Sequence, residues 1–134
     1  MAIEAGFPMT LTIDIGGVGK DLSEGIPSLD YSTPRGVQDV TGVDKAAVHR
    51  ILLLADCSGT LNSSFNDEAD HTHDAFKTIP SSAEVSRTFI LTISAKTLTS
   101  EVWFTDYPLA RGADGSLTSA VPFVLANGVA PVWA

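Results

Sequence analysis

Two stretches of this sequence hold residue types dense enough to do chemistry. The first, Asp14-Ile15-Gly16-Gly17-Val18-Gly19-Lys20-Asp21, carries the glycines and lysine of a phosphate-binding loop. Such a loop needs Gly where Asp14 stands and Ser or Thr where Asp21 stands, so that the backbone cradles phosphate and a hydroxyl holds magnesium. Carboxylates in both places would repel phosphate, and the stretch reads as a flexible turn after a strand. The second, Asp67-Glu68-Ala69-Asp70-His71-Thr72-His73-Asp74, sets two histidines among carboxylates, types that ligate metals. On a helix, positions two apart point roughly 200° from each other, whereas zinc is better served by i, i+4 spacing. A solvated helix start accounts for the same residues. No metal and no other cofactor is expected.

Nucleophilic chemistry is no better supplied. Ser58 lies in Asp-Cys-Ser-Gly and not in G-x-S-x-G, and nothing marks a base for it. Cys57 falls on a predicted buried face, where a thiol behaves as a small hydrophobe. His49 stands alone beside a strand. Carboxylate pairs of glycosidase type can be picked anywhere in so acidic a chain and carry little information. No catalytic residues are expected, and the protein reads as a non-enzyme.

The elements that would position these groups are mostly strands. Thr97 to Trp133 reads as a long β-hairpin turning at Gly112-Ala113-Asp114-Gly115, where glycine tolerates the positive φ of a tight turn. Leu98, Ser100, Val102 and Phe104 share one face of its first run, and Thr97, Thr99, Glu101, Trp103 and Thr105 the other. The second run sets Leu117, Ser119, Val121, Phe123 and Leu125 against Ser116, Thr118 and Ala120. Asn127-Gly128 is a second turn signal, leading to a C-terminal tail at 129–134.

Met9 to Ile15 alternates as a strand, broken by Gly16 and Gly17. Residues 20–42 hold two prolines, three glycines and little periodicity, and read as a long loop with one short strand at Gly36 to Val40. Val43 to Leu54 reads as one strand that continues past a bend or bulge at Cys57-Ser58-Gly59. Its inward face is Ile51, Leu53, Ala55, Cys57, Gly59, Leu61 and Phe65, backed by Asp56, Ser58, Thr60, Asn62 and Ser64. Asn66 to Ile79 is the one expected helix, with acids in its first turn, Lys77 near its last, and Pro80-Ser81-Ser82 ending it. Arg87 to Ser94 is a further strand with Phe89, Leu91 and Ile93 inside. The expected fold is mainly β: an antiparallel sandwich or partial barrel in one domain (1–134), with one short helix and a long loop.

A collective feature stands out. Several strands back their apolar face with Ser, Thr and Asn: Ser58, Thr60 and Asn62; Thr88 and Thr92; Thr97 and Thr99; Ser116 and Thr118. One reading is an ordinary solvent-facing sheet, where threonine is favoured. The sharper reading is a channel lining, smooth and, with acids such as Asp56 and Glu101, unattractive to phosphate. The net charge of −8 argues against a general nucleic-acid surface or an anionic membrane surface, while allowing nucleic acid to pass without sticking. The lone Cys57 marks no oxidising compartment, and Met1 to Gly6 lacks the basic and apolar regions of a signal peptide. Use in a cytosol, or in something assembled there, is expected.

The series Leu52-Leu53-Leu54-Ala55-Asp56-Cys57-Ser58-Gly59-Thr60-Leu61-Asn62, then Phe65-Asn66 and His73-Asp74-Ala75-Phe76-Lys77-Thr78, resembles the small major tail proteins, or tail tube proteins, of long-tailed bacteriophages. Phe104-Thr105-Asp106-Tyr107, Arg111 to Thr118, Val121-Pro122-Phe123 and Leu125-Ala126-Asn127-Gly128 extend the resemblance over residues 45–133. It implies a β-sandwich with a flanking helix whose copies form hexameric rings, stacked into a tube whose sheets make a continuous barrel around a lumen. It implies as partners further copies of the chain, other phage tail proteins, and double-stranded DNA passing during ejection without specific binding, with no membrane involved. The implied location is the virion, assembled in the host cytoplasm, and the family brings no catalytic residues.

Under that resemblance the candidate lumen-facing residues are Asp56, Ser58, Thr60, Asn62, Thr97, Thr99, Glu101 and Thr118. The candidate subunit and ring contacts are Lys20, Leu22, Ile26 and Tyr31 in the long loop, Trp103, and Val132 and Trp133 in the tail, loop and tail being the inter-ring arms. Two alternatives stand beside it. One is a tail-terminator or connector ring that does not stack. The other is a β-sandwich carbohydrate-binding module using Trp103 with Tyr107 as a stacking platform.

Overall fold

The computed structural model describes residues 9–15, 17–81 and 85–134. The readings made on Met1 to Gly6, Gly16 and Ser82 lie outside them. In chain order the strands are β1 (Thr10–Ile15), β2 (Val18–Asp21), β3 (Ser28–Ser32), β4 (Arg35–Asp39), β5 (Arg50–Ala55), β6 (Ser58–Ser64), β7 (Arg87–Ile93), β8 (Lys96–Phe104), β9 (Ala110–Arg111), β10 (Leu117–Leu125) and β11 (Val132–Trp133). A 3-10 turn at Ser23–Gly25 follows β2, and the helix α1 (Thr72–Phe76) separates β6 from β7. The fold is mainly antiparallel β, as the alternation predicts.

One sheet runs β2-β1-β7-β8-β10-β6-β3, with β11 added to β8 and β9 to β10. Alternation makes it two-sided. Leu11 and Ile13, Phe89 and Leu91, Leu98, Val102 and Phe104, Val121 and Phe123, and Leu61 all point to one side and are buried there. The sheet curls over this side. Tyr31 on β3 lies with its ring centroid 5.5 Å from Phe89 on β7, although β6, β10 and β8 stand between those strands in the sheet. Phe89, Phe123, Phe104 and Phe76 continue the aromatic row at centroid distances of 4.9, 6.0 and 5.2 Å. α1 closes the open end with Ala75 and Phe76. Buried Arg87 ties it to the sheet, donating to the Ala75 carbonyl and, at 2.7 Å, to Thr78 Oγ1.

Four expectations are corrected. The 20–42 loop is largely strand: β3 bonds β6 from Ser28↔Asn62 to Ser32↔Ser58, a partner about thirty residues away that no local pattern shows. Val43 to Ala55 is not a single strand; β5 begins at Arg50 and belongs with β4 to a separate two-stranded sheet. The helix is confined to Thr72–Phe76, because Asp70 takes a left-handed φ of 63° and the Asn66 side chain turns the chain onto Glu68 N at 3.0 Å. The closing hairpin turns near 112–116 but splits: β9 pairs the start of β10, while β8 meets β10 only from Val102 to Phe104 and otherwise pairs β7. The β7–β8 turn is Ser94-Ala95, at φ 49° and 63°, without the glycine or asparagine that usually announces such a turn.

Gly59 marks no bulge; the β3–β6 ladder passes through it without a break. A Cβ there would collide with the Asp30 carbonyl and stand 2.6 Å from Phe123 Cζ. Its role is close approach between backbones.

Candidate functional site

Register carries the alternation across the sheet, so the outer face can be read residue by residue. Thr118, Ala120, Pro122 and Val124 on β10 lie opposite Ser64, Asn62, Thr60 and Ser58 on β6. The last three of these lie opposite Ser28, Asp30 and Ser32 on β3. Val124 faces Trp103. Glu101, Thr99 and Thr97 face Thr88, Ile90 and Thr92, and β1 and β2 extend the face with Thr10, Thr12, Asp14 and Asp21. None of these residues is buried. The face is therefore hydroxyl-rich, and among the described residues the charged side chains that strand parity places on it, Asp14, Asp21, Asp30 and Glu101, are all negative, while Lys20, Arg87 and Lys96 of the same strands fall on the opposite side. Thr88 Oγ1 donates to Glu101 Oε2 at 2.9 Å and Asn62 Nδ2 to Ser28 Oγ at 2.7 Å, so neighbouring strands are also joined through side chains.

Seven of the eight lumen candidates share this face: Ser58, Thr60, Asn62, Thr97, Thr99, Glu101 and Thr118. Asp56 does not. It sits in the break between β5 and β6, exposed, with Oδ1 accepting from Cys57 N at 2.8 Å. Asp14, Asp21 and Asp30 complete the acidic set; Asp14 stands on the polar side of the alternation that the sequence shows for β1, whereas Asp21 and Asp30 lie in a stretch that reads locally as loop and becomes strand by pairing.

The second feature is an arm. Among the described residues β4 and β5 bond each other and no other strand. Val37 pairs with Leu52 and Gln38 with Ile51, which puts apolar side chains on both faces. Val37, Ile51, Leu52 and Leu53 are exposed, and Leu54 is 90% exposed. Ile51 and Leu53 were expected inside, so this is a further correction. A run that is apolar at every position fits a strand buried on both faces, and among the described residues nothing buries it. At the tip, Val40 N donates to the His49 carbonyl at 2.9 Å and His49 N to Thr41 Oγ1 at 2.7 Å.

The contact candidates divide. Leu22 is 1% exposed and Ile26 packs on the same core, so both stabilise the subunit that carries them. Tyr31 is held likewise: its hydroxyl donates to Ser100 Oγ at 2.8 Å, and burial pushes its pKa up to about 12. Burial also raises the Cys57 thiol beside it. Lys20 is engaged with Asp70 at 3.4 Å. Trp103 on the outer face and Val132 and Trp133 on β11 remain exposed. The tail is anchored by a strand ladder, with Ala134 N and the Thr97 carbonyl 2.8 Å apart.

Chemistry at the acidic helix start dissolves into local contacts. His71 Nε2 meets Glu68 at 3.3 Å, while His73 Nδ1 lies 3.1 Å from the Tyr107 hydroxyl. Asp74 is held below the usual carboxylate range by Lys77, 2.6 Å away. Among the described residues no three His, Cys, Asp or Glu side chains converge as a metal cage would require. Tyr107 packs on Phe76 at 5.9 Å, on the core side, whereas Trp103 is on the outer face. The expected stacking platform is not assembled.

No protein-family model matches the sequence, and no curated protein sequence aligns with it significantly. Solved structures do share the fold. One is described as the virion of a native gene transfer agent particle, and another as the tail of an empty gene transfer agent particle with C6 symmetry. Each superposes with a TM-score of 0.77 at 17% identity, over 98% of this chain and 99% of the other. A chain of the six-fold symmetrised baseplate of an anti-feeding prophage superposes with a TM-score of 0.64 at 9% identity, over 94% and 91%.

Proposed function

We propose that this chain is a phage-type tail protein whose copies form six-fold rings that stack into a tube, with the outer sheet face toward the lumen. The observation that carries the reading is the charge pattern of that face: a broad, hydroxyl-lined sheet surface on which every charge is negative. A duplex moving past such a wall meets short polar side chains and no cation to hold its phosphates. Repeated around a ring, the four acids per copy would keep DNA centred. The likeness of the fold to tail and baseplate chains of six-fold particles supports the same reading.

The arm supplies the association. Hydrophobic side chains exposed on both faces of a hairpin need a partner to leave water. A second copy of the chain is the occupant that stacked rings provide. Association here needs no chemistry, so no residue is assigned a catalytic role.

Negative-stain electron microscopy of the purified protein over a range of concentrations and salt tests the proposal. Six-fold rings that stack into tubes are expected. Single rings that never stack would support the terminator or connector alternative, and a monomer under all conditions would remove the self-assembly reading.

A further inference from the structure

The arm leaves the body through an irregular step. Arg35 pairs with Ala55 and Val37 with Leu52, so the single residue Gly36 on β4 is opposed by two, Leu53 and Leu54, on β5. The extra residue is a bulge at Leu53-Leu54, and bulges bend a ribbon and leave ladder groups unpaired. Here one side chain fills the gap: Arg35 donates from both Nε, at 2.9 Å, and Nη2, at 2.6 Å, to the Leu53 carbonyl. On the other face of the step, Leu53 Cδ1 would lie 3.3 Å from a Cβ on Gly36, so the chain is closely packed there as well. Below the step, the root of the arm faces the C-terminal strand across a cavity of about 230 Å3 lined by Thr33, Arg35, Ala55, Asp56, Leu98 and Trp133. That space leaves room for the arm to tilt, so packing alone does not set its angle.

We infer that Arg35 is the positioning residue of the arm. Its two-pronged hydrogen bond to the bulge carbonyl joins β4 to β5 across the irregular step and so stiffens the elbow through which the hairpin leaves the sheet. A guanidinium suits the task because its fork delivers two donors to one acceptor, while a lysine ammonium in the same place reaches with a single point charge. Stiffening the elbow in the free subunit lowers the entropy lost when the arm docks. That consequence for stacking rests on the tube reading; the stiffened elbow does not.

The test measures distances within the full chain. Cysteines introduced by Val43→Cys at the arm tip and Asp114→Cys on the body take spin labels, while native Cys57, fully buried, stays unlabelled. Dilution into unlabelled protein leaves only intramolecular pairs. A single narrow tip-to-body distribution is expected with Arg35, a broad one with Arg35→Ala, and an intermediate one with Arg35→Lys. Amide exchange at Val37, Ile51 and Leu52 should quicken about tenfold in Arg35→Ala, as loss of a charged hydrogen bond implies, with β7 and β8 unchanged. An Arg35→Ala distribution as narrow as that of the parent overturns the inference. Failure of the parent protein to stack would count against the tube and leave this distance measurement standing.

Discussion

The Tyr31 hydroxyl donates to Ser100 Oγ at 2.8 Å across the interior of the curled sheet, joining the edge strand β3 to the central strand β8. The bond closes the sheet on itself and, because β3 leads into β4, also seats one root of the arm.

Tyr31 makes that closure sensitive to alkaline pH. Burial raises its folded pKa from the ordinary tyrosine value of 10.0 to about 12, so the folded protein keeps a proton that the unfolded chain gives up. The stabilisation is complete below pH 10 and is lost as pH rises toward 12. Urea unfolding from pH 8 to 12 should show a falling midpoint, and Tyr31→Phe should flatten that fall while lowering stability at neutral pH. A variant with the parent's full alkaline slope would show that other groups cause it.

Gly59→Ala should be among the most damaging small substitutions in the chain. The added methyl would meet the Asp30 carbonyl and Phe123 Cζ at once, and overpacking of this kind typically costs about 1–3 kcal/mol. Chemical denaturation checks it, and a loss below roughly 0.5 kcal/mol would mean that β3 shifts away freely.

Leu54→Glu should separate folding from assembly. Leu54 is 90% exposed on the arm, so its replacement should move the stability of the subunit by less than about 0.5 kcal/mol. Sedimentation should show loss of stacked species with an unchanged unfolding transition. Tubes of parental length would take Leu54 out of the docking surface.

Reversing two outer-face charges should make assembled protein hold DNA. In Asp30→Lys with Glu101→Lys, each added cation able to reach a phosphate should steepen the dependence of log K on log salt by about 0.9. Co-sedimentation of tubes with duplex DNA at several salt concentrations measures this. Retention equal to the parent's at low salt would place these residues away from the DNA path.

What was legible in the sequence follows from parity. Alternation in β1, β7, β8 and β10 identified Leu11, Phe89, Val102 and Phe123 as core and Thr97, Thr99, Glu101 and Thr118 as their polar backing, because side chains alternate whatever the strand is paired with. The same local rule misread Ile51 to Leu54. An unbroken apolar run reports only that the segment is to be buried, and not whether its own subunit does the burying. Tertiary structure separated that run from the core and set it on the arm. It also assigned Leu22 and Tyr31 to the interior of the subunit and brought Asp14, Asp21 and Asp30 beside Glu101 on one face. These outcomes depend on registers such as Tyr31↔Gly59 and Thr12↔Ile90, which join residues far apart in the chain. Local composition determined which side of each strand is wet; long-range pairing decided which wet sides form a common wall and which apolar surface was left exposed.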